Sequence, residues 1–328
     1  MRIVEIYTHE KELPVLLPGN PLHSAEVFTM IKASGKAKPI MLVCHDENKE
    51  IAHLLAVRHQ GWRFIPLGLH TWYSVYGEGV YSEECNDREE VYALLLDKLF
   101  GIFDLRHTFI EIRNLSDARF AYDVLSKRNF FPRRSLRIYN SLHGRHPIER
   151  LTRSYRTHIR QAEARGVTYG RATTQAEIDE GIRLLRNYYA TKIRRKFPNS
   201  KLIKTMLVDE QGNHSKQTTL FVVRYNNKII GSSLCLYTSE RVYLAYSCGL
   251  RKRHPLLYPG IMAVWAAISD AHNFGYSHFE FLESNMLAGT HAGFINLILN
   301  FGGKQVSTRR WYHVQWNWMN KILRKIYV

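Results

Sequence analysis

The sequence predicts an α+β fold, a mixed α/β arrangement whose sheet carries a strand–helix–strand crossover, and it predicts that this unit occurs twice. Three observations carry the prediction. Residues 39–57 (PIMLVCHDENKEIAHLLAV) and 218–237 (TTLFVVRYNNKIIGSSLCLY) share one grammar: an apolar run, a polar turn and a second apolar run. Each is followed by an apolar-periodic helix and a strand, at 91–105 and 109–114 in the first half and at 260–274 and 279–284 in the second. The register also holds, since the strands starting at Phe109 and Phe279 lie 170 residues apart and the pairs Asn129-Phe130 and Asn300-Phe301 lie 171 apart.

The N-terminal Met1-Arg-Ile-Val-Glu-Ile-Tyr alternates like a strand and contains no apolar signal core. Asp46-Glu47-Asn48 and Asn226-Asn227 are turn formers suited to hairpins, so the runs flanking them pair antiparallel. The strand–helix–strand segments imply a parallel pair joined by a crossover. A further helix-like segment ends at each Asn-Phe pair. Turn formers cluster in Leu142-His-Gly-Arg-His-Pro147, which sets an N-terminal domain over 1–142 and a C-terminal domain over 147–328.

With 328 residues, 45% of them hydrophobic and 23% charged, the chain can bury sizeable cores; disorder, collagen and coiled coil are excluded as whole-chain descriptions. Its 46 Lys+Arg against 29 Asp+Glu leave a net charge of +17, which favours nucleic acid, phosphorylated substrates or acidic membrane surfaces as partners. No stretch reaches the roughly 18 apolar residues of a membrane-spanning helix. Cys44, Cys85, Cys235 and Cys248 form no C-x-x-C pair and fit reduced thiols in a cytoplasmic protein. The 16 histidines include no H-E-x-x-H and no Cys/His quartet, so no metal is expected. Gly77-x-Gly79 lacks the third glycine of a dinucleotide fingerprint, and Gly302-Gly303-Lys304 lacks the flanks of a phosphate loop.

Six short motifs stand in an informative order: Tyr76-Gly-Glu-Gly-Val80, Arg156-Thr-His-Ile-Arg-Gln-Ala-Glu-Ala-Arg-Gly-Val167, Tyr246-Ser-Cys-Gly249, Tyr258-Pro-Gly260, Phe279-Glu-Phe281 and Asn300-Phe-Gly-Gly303. Together they cover about the whole chain, which resembles the Fem-type (FemA/FemB/FemX-like) transferases built of twin GNAT acyltransferase domains. The resemblance implies an N-acyltransferase, its second domain catalytic, that moves an acyl or aminoacyl group from an acyl-CoA or acyl-carrier thioester to an amine. It also implies an alternative, an aminoacyl-tRNA-dependent peptidyltransferase acting on a cell-wall precursor. No tightly bound cofactor is implied; acyl-CoA or aminoacyl-tRNA would be a co-substrate. Two departures bear on the donor. Leu297-Ile298 stands where such sequences often carry Phe-Lys, and RKRHPLLYPG (251–260) replaces the glycine-rich pyrophosphate loop, leaving only Gly260 for close backbone approach. These departures motivate a third reading, a non-catalytic binding protein on the same fold.

Three basic stretches lie in the second half. In 150–165, at about 100° per residue, Arg153, Arg156 and Arg160 fall within about 60° of one another, beside a stripe of Leu151, Tyr155, Ile159 and Ala162. Such an arginine ridge suits a pyrophosphate, CoA or an RNA backbone, and equally a solvated basic face. Lys192-Ile-Arg-Arg-Lys196 follows the helical stretch 178–190, where cations complement a helix dipole. Arg251 and Arg253 precede the crossover helix beginning at Gly260, whose free N–H groups make this the favoured anion site. In the GNAT arrangement the acyl group sits where two central strands part, which maps to 242–248 and 278–283. Glu283, Tyr258, Tyr246, Ser247 and Asn285 are candidates there, with Glu283 as base; in the competing reading, the alternation Phe279-Glu280-Phe281 places Glu280 outward and leaves Glu283 as a surface or capping residue. The tail places Trp311, Trp316, Trp318 and Met319 ahead of Lys321, Arg324 and Lys325, which suits the core of a closing strand or a membrane interface with a lipid-linked substrate.

Overall fold

The computed structural model describes residues 2–33, 37–47, 49–60, 71–103, 107–115, 117–193, 197, 200–208, 214–281 and 298–327. They form two compact units, one of Met1–Ser135 with Ser307–Val328 and one of Leu136–Val306. The first half runs β1 (Arg2–Tyr7), α1 (Ala25–Ala33), β2 (Ala37–Asp46), β3 (Lys49–Gln60), β4 (Thr71–Tyr76), β5 (Val80–Tyr81), α2 (Arg88–Gly101), β6 (His107–Arg113), α3 (Tyr122–Lys127) and β7 (Phe131–Ser141). The second runs α4 (Pro147–Arg150), α5 (Arg153–Ala164), β8 (Thr168–Arg171), α6 (Gln175–Tyr188), α7 (Ser200–Leu207), β9 (Thr218–Tyr225), β10 (Lys228–Tyr237), β11 (Arg241–Gly249), α8 (Pro259–Asn273), β12 (His278–Phe281), β13 (Lys304–Val314) and α9 (Asn317–Tyr327).

The two units share a plan. Strand order is β1-β2-β3-β4-β6-β13 in the first, with only β4 and β6 parallel. It is β8-β9-β10-β11-β12-β7 in the second, with only β11 and β12 parallel. Each parallel pair is joined across a helix, α2 or α8, as a parallel connection requires. The fold is therefore the duplicated mixed sheet that the sequence predicts. The last strand of each unit comes from the other half of the sequence: β7, following the first half's helices, pairs with β12, and β13 pairs with β6. The units accordingly divide after Ser135 and after Val306, not in the turn-rich stretch 142–147.

Local chemistry accounts for the elements. Asn226 (φ 48°) and Asn227 (φ 58°) supply the left-handed backbone of a two-residue hairpin turn between β9 and β10. Thr174 caps α6 by accepting the Glu177 N–H at 3.2 Å. In the second unit, α8 and α5 cover one core containing Tyr155, Ile159, Ala162, Met262, Ala267 and Phe281. On the opposite side, α6 and α7 cover another containing Ile182, Leu185, Tyr189, Ile203 and Cys248. Burying a side chain the size of Ile159 contributes about 1.5–3 kcal/mol, so the stripe on α5 fixes that helix and leaves its arginines outward. All four cysteines are buried and unpaired. Among the described residues no helix is long and apolar enough to cross a membrane, and no three potential metal ligands cluster.

Candidate active site

The site is built where β11 hands over to α8. Glycine is required at two positions there. A Cβ on Gly249 would lie 2.2 Å from the Gly260 nitrogen and 2.6 Å from its Cα, and a Cβ on Gly231 of β10 would lie 2.6 Å from the Pro259 carbonyl oxygen. Their bareness lets the first turn of α8 rest directly on the strands. The chain reaches it through a tight turn, in which the His254 and Arg253 N–H groups both donate to the Leu250 carbonyl at 3.0 Å. Tyr258 then adopts φ 47°, a left-handed conformation costly for a bulky side chain, immediately before Pro259.

Contacts from α5 hold this strained residue. The Tyr258 ring stacks on His158 with centroids 4.0 Å apart, and its hydroxyl donates to Gln161 Oε1 at 3.3 Å. Arg165, at the end of α5, donates to the Leu256 carbonyl at 2.5 Å. Arg251 completes the cluster electrostatically: burial and then the Arg251 charge lower the pKa of His158. Burial raises that of Tyr155, opposed by a hydrogen bond from Asn300 and by Arg251. At Gly260 a Cβ would meet nothing within 4 Å among the described residues, so none of them covers the helix start. Pro259 has no N–H and the Met262 N–H is bonded to Tyr258, so Gly260 and Ile261 carry the first-turn donors.

Strand β11 is bulged just upstream. Leu234 faces Tyr246 and Cys235 faces Leu244, so Ala245 is the extra residue, directly after the last described β11–β12 pair, Leu244 with Phe281. Such bulges re-aim backbone groups beside active sites.

The sequence-derived candidates distribute as follows. Arg153, Arg156 and Arg160 lie on α5 away from its buried stripe and make no ion pair among the described residues. Arg251 and Arg253 are exposed in the turn; Arg251 acts on α5, whereas Arg253 lines an open groove of about 1230 Å³ with Arg224, Lys228 and His254. In that groove Glu177 pairs with Arg224, whose hydrogen bond holds the carboxyl at a pKa of about 2. Tyr246 is not brought to Tyr258: its ring packs against Tyr189 and Phe197 at 5.1 and 5.0 Å, on the α6 side. The Ser247 N–H donates to the Tyr189 hydroxyl at 3.4 Å. Lys192 falls in a π-helical turn, Tyr189–Ile193, that ends α6. Glu283 and Asn285 lie outside the described residues.

Glu280 corrects the alternation argument. It is fully buried, with Arg137 Nε at 3.9 Å and an Arg241 guanidinium nitrogen at 3.7 Å. Its strand is interior, flanked by β11 and β7, so the face opposite Phe279 and Phe281 is covered by those arginines instead of water. Sequence reasoning missed Arg137 because it arrives on β7, from before the turn-rich boundary. The available signal was the repeat itself: Arg137-Ile-Tyr139 recurs as Arg310-Trp-Tyr312, each lying opposite a buried glutamate.

Residues 149–288 match the family model for the acetyltransferase (GNAT) domain. No curated protein matches the sequence. Among solved structures, FemX is similar over 97% of this chain and 96% of its own, with a TM-score of 0.65 at 11% identity. The L-PGS of Bacillus licheniformis is similar over 95% and 99%, with a TM-score of 0.58 at 9% identity. The C-terminal DUF2156 domain of an Agrobacterium fabrum protein follows over 92% and 90%, with a TM-score of 0.58 at 13% identity. Likenesses at such identities establish the fold.

Proposed function

We propose that this chain, whose fold is the tandem GNAT arrangement of the Fem-type transferases, is an N-acyltransferase whose second unit transfers an acyl group from a phosphate-bearing thioester to an amine. One observation carries the reading: bare glycines at 231 and 249 seat the helix start at Gly260, a few residues after the exposed Arg251 and Arg253 in the chain. Arginine forks supply what the absent glycine-rich loop would otherwise give, charge-assisted donors for phosphate, next to first-turn N–H groups and a helix dipole.

The amine nitrogen attacks the thioester carbonyl carbon and a C–N bond forms. The bulged backbone at Ala245 is the point where the developing oxyanion would be received. Glu283 takes the proton from the attacking nitrogen, the C–S bond breaks, and the Tyr258 hydroxyl returns a proton to the departing thiolate. Asn285 helps hold the acceptor, and Ser247 contributes from the β11 side. Acyl-CoA or an acyl-carrier thioester fits this account.

The α5 guanidiniums, exposed at Arg153 and Arg160, half-buried at Arg156 and in no ion pair among the described residues, favour a second donor, aminoacyl-tRNA, whose backbone could lie along them. Incubating the purified protein with labelled acyl-CoA, acyl-carrier thioester and charged tRNA separates the cases. Transfer from a thioester that survives RNase supports the first reading, RNase-sensitive transfer onto a cell-wall precursor supports the second, and binding without turnover of any donor leaves a non-catalytic GNAT-fold protein. In the first case Arg251→Glu should raise the donor KM about tenfold or more with kcat little changed. An unchanged KM removes Arg251 from the site.

A further inference from the structure

Helix α9 presents a surface that the transfer reading does not use. At about 100° per residue, Trp318, Ile322 and Ile326 follow one another along one side, and they are 65%, 49% and 65% exposed. Asn320 is buried on the opposite side, where its side chain accepts the Val314 N–H at 3.1 Å and donates to the Asn129 carbonyl at 2.7 Å. Those bonds, with the Tyr327 ring stacked on Phe131, fix which face of the helix looks outward. Lys321 and Lys325 flank the apolar row on the outward side and Arg324 lies next to them, all exposed. Arg133 lies 5.5 Å over the Tyr327 ring at the end of the helix. No carboxylate occurs anywhere in Asn317–Tyr327.

We propose that α9 docks this protein on an anionic phospholipid surface, with Trp318, Ile322 and Ile326 entering the interface and Lys321, Arg324 and Lys325 meeting lipid phosphates. Two arguments select a membrane over a protein partner. The row is narrow and bordered directly by long cationic side chains, the arrangement of interfacial helices, in which the apolar edge sinks only to the headgroup level. The charge is of one sign throughout the segment, which complements an acidic lipid surface and repels a second copy of the same helix. The inference is independent of the acyl-transfer reading.

Flotation of the full-length protein with phosphatidylglycerol/phosphatidylcholine vesicles, and with pure phosphatidylcholine vesicles, tests it. Binding to the anionic vesicles alone is expected, weakening with added salt. Lys321→Glu and Lys325→Glu should each weaken binding roughly fivefold. Trp318→Ser combined with Ile322→Ser and Ile326→Ser should abolish it while leaving the far-UV circular dichroism unchanged and the melting temperature little changed, because the replaced side chains are about half or more exposed. Absence of binding by the wild type, equal binding to both vesicle types, or retention by the triple variant overturns the proposal. So does a triple variant that changes the mass in light scattering instead of vesicle binding, since the face would then join two copies of the chain. If the triple variant misfolds, the two charge variants still decide the matter.

Discussion

The crossover helices of the two units occupy equivalent places and begin with opposite chemistry. Helix α2 opens behind Asp87, which pairs with Arg2, and carries Glu89 and Glu90 in its first turn. Glu89 also accepts the Ala121 N–H at 3.1 Å. The positive end of that helix therefore has carboxylates of its own nearby, although Asp87 makes no cap hydrogen bond. Helix α8 has no acidic residue in its first turn, follows Arg251-Lys252-Arg253, and starts at an open Gly260. The region beyond the first unit's parallel pair is likewise closed from within. Gly77 sits against Asn20 and His23, and Glu78 accepts the Leu115 and Asp117 N–H groups at 2.9 and 3.2 Å. The two copies thus differ in the charge at the helix start, and the proposed function assigns the anion site to the second.

The largest test of this contrast is steric. Gly249→Ala must displace the start of α8, because its Cβ would fall 2.2 Å from the Gly260 nitrogen. A loss of about 3 kcal/mol or more is expected in denaturant unfolding, together with loss of transfer. An active, fully stable variant would show that the contact does not form the site.

A buried glutamate provides the next test. Both oxygens of Glu111 are bonded to Arg113 at 2.8 Å, and the Tyr312 hydroxyl donates at 3.0 Å. Burial would push its pKa up, but the Arg113 hydrogen bonds and the Arg113 and Arg310 charges hold it below the ordinary range. Glu111→Gln should cost about 3–5 kcal/mol by leaving buried guanidiniums poorly paired. A loss below about 1 kcal/mol would show that the cluster is not held together by the Glu111 charge.

The acid response should also separate the units. His23 of the first unit is buried, accepts the Leu55 N–H at 2.9 Å, and has its pKa lowered from 6.5 to about 3, chiefly by burial. Below pH 6.5 the unfolded chain binds a proton there that the folded one refuses. Stability therefore falls as pH drops from about 6.5 towards 3, by about 1.4 kcal/mol per unit across the middle of that range. Hydrogen exchange at pH 5 should show the first unit opening ahead of the second; His23→Gln should flatten the stability–pH slope, and an unaltered slope would assign acid sensitivity elsewhere. The smallest effect is expected on α5. Arg153→Ala, Arg156→Ala and Arg160→Ala should each leave stability within about 0.5 kcal/mol of wild type, since none makes an ion pair among the described residues, while a shift in donor affinity would enlarge the site to include them.

Much of this was legible in the residues themselves. Hydrophobic period and turn chemistry are local, so the hairpins, the crossover helices, the buried stripe of α5 and the duplication could be read directly. The basic loop ahead of α8 was legible for the same reason, because a helix start and its preceding cations are neighbours in sequence. Glu280 was misjudged because alternation says which residues share a face, and only the strands and arginines around it decide whether that face meets water. The exchange of β7 and β13 was hidden too, since a strand's pattern does not name its partner. What only the tertiary structure decided are the long-range juxtapositions: Gly249 against Gly260, His158 stacked on Tyr258, Tyr246 turned to the other side of the sheet, and Trp318 outside while Trp311 is buried. Each depends on which surfaces meet after the chain has closed, a quantity that no single segment carries.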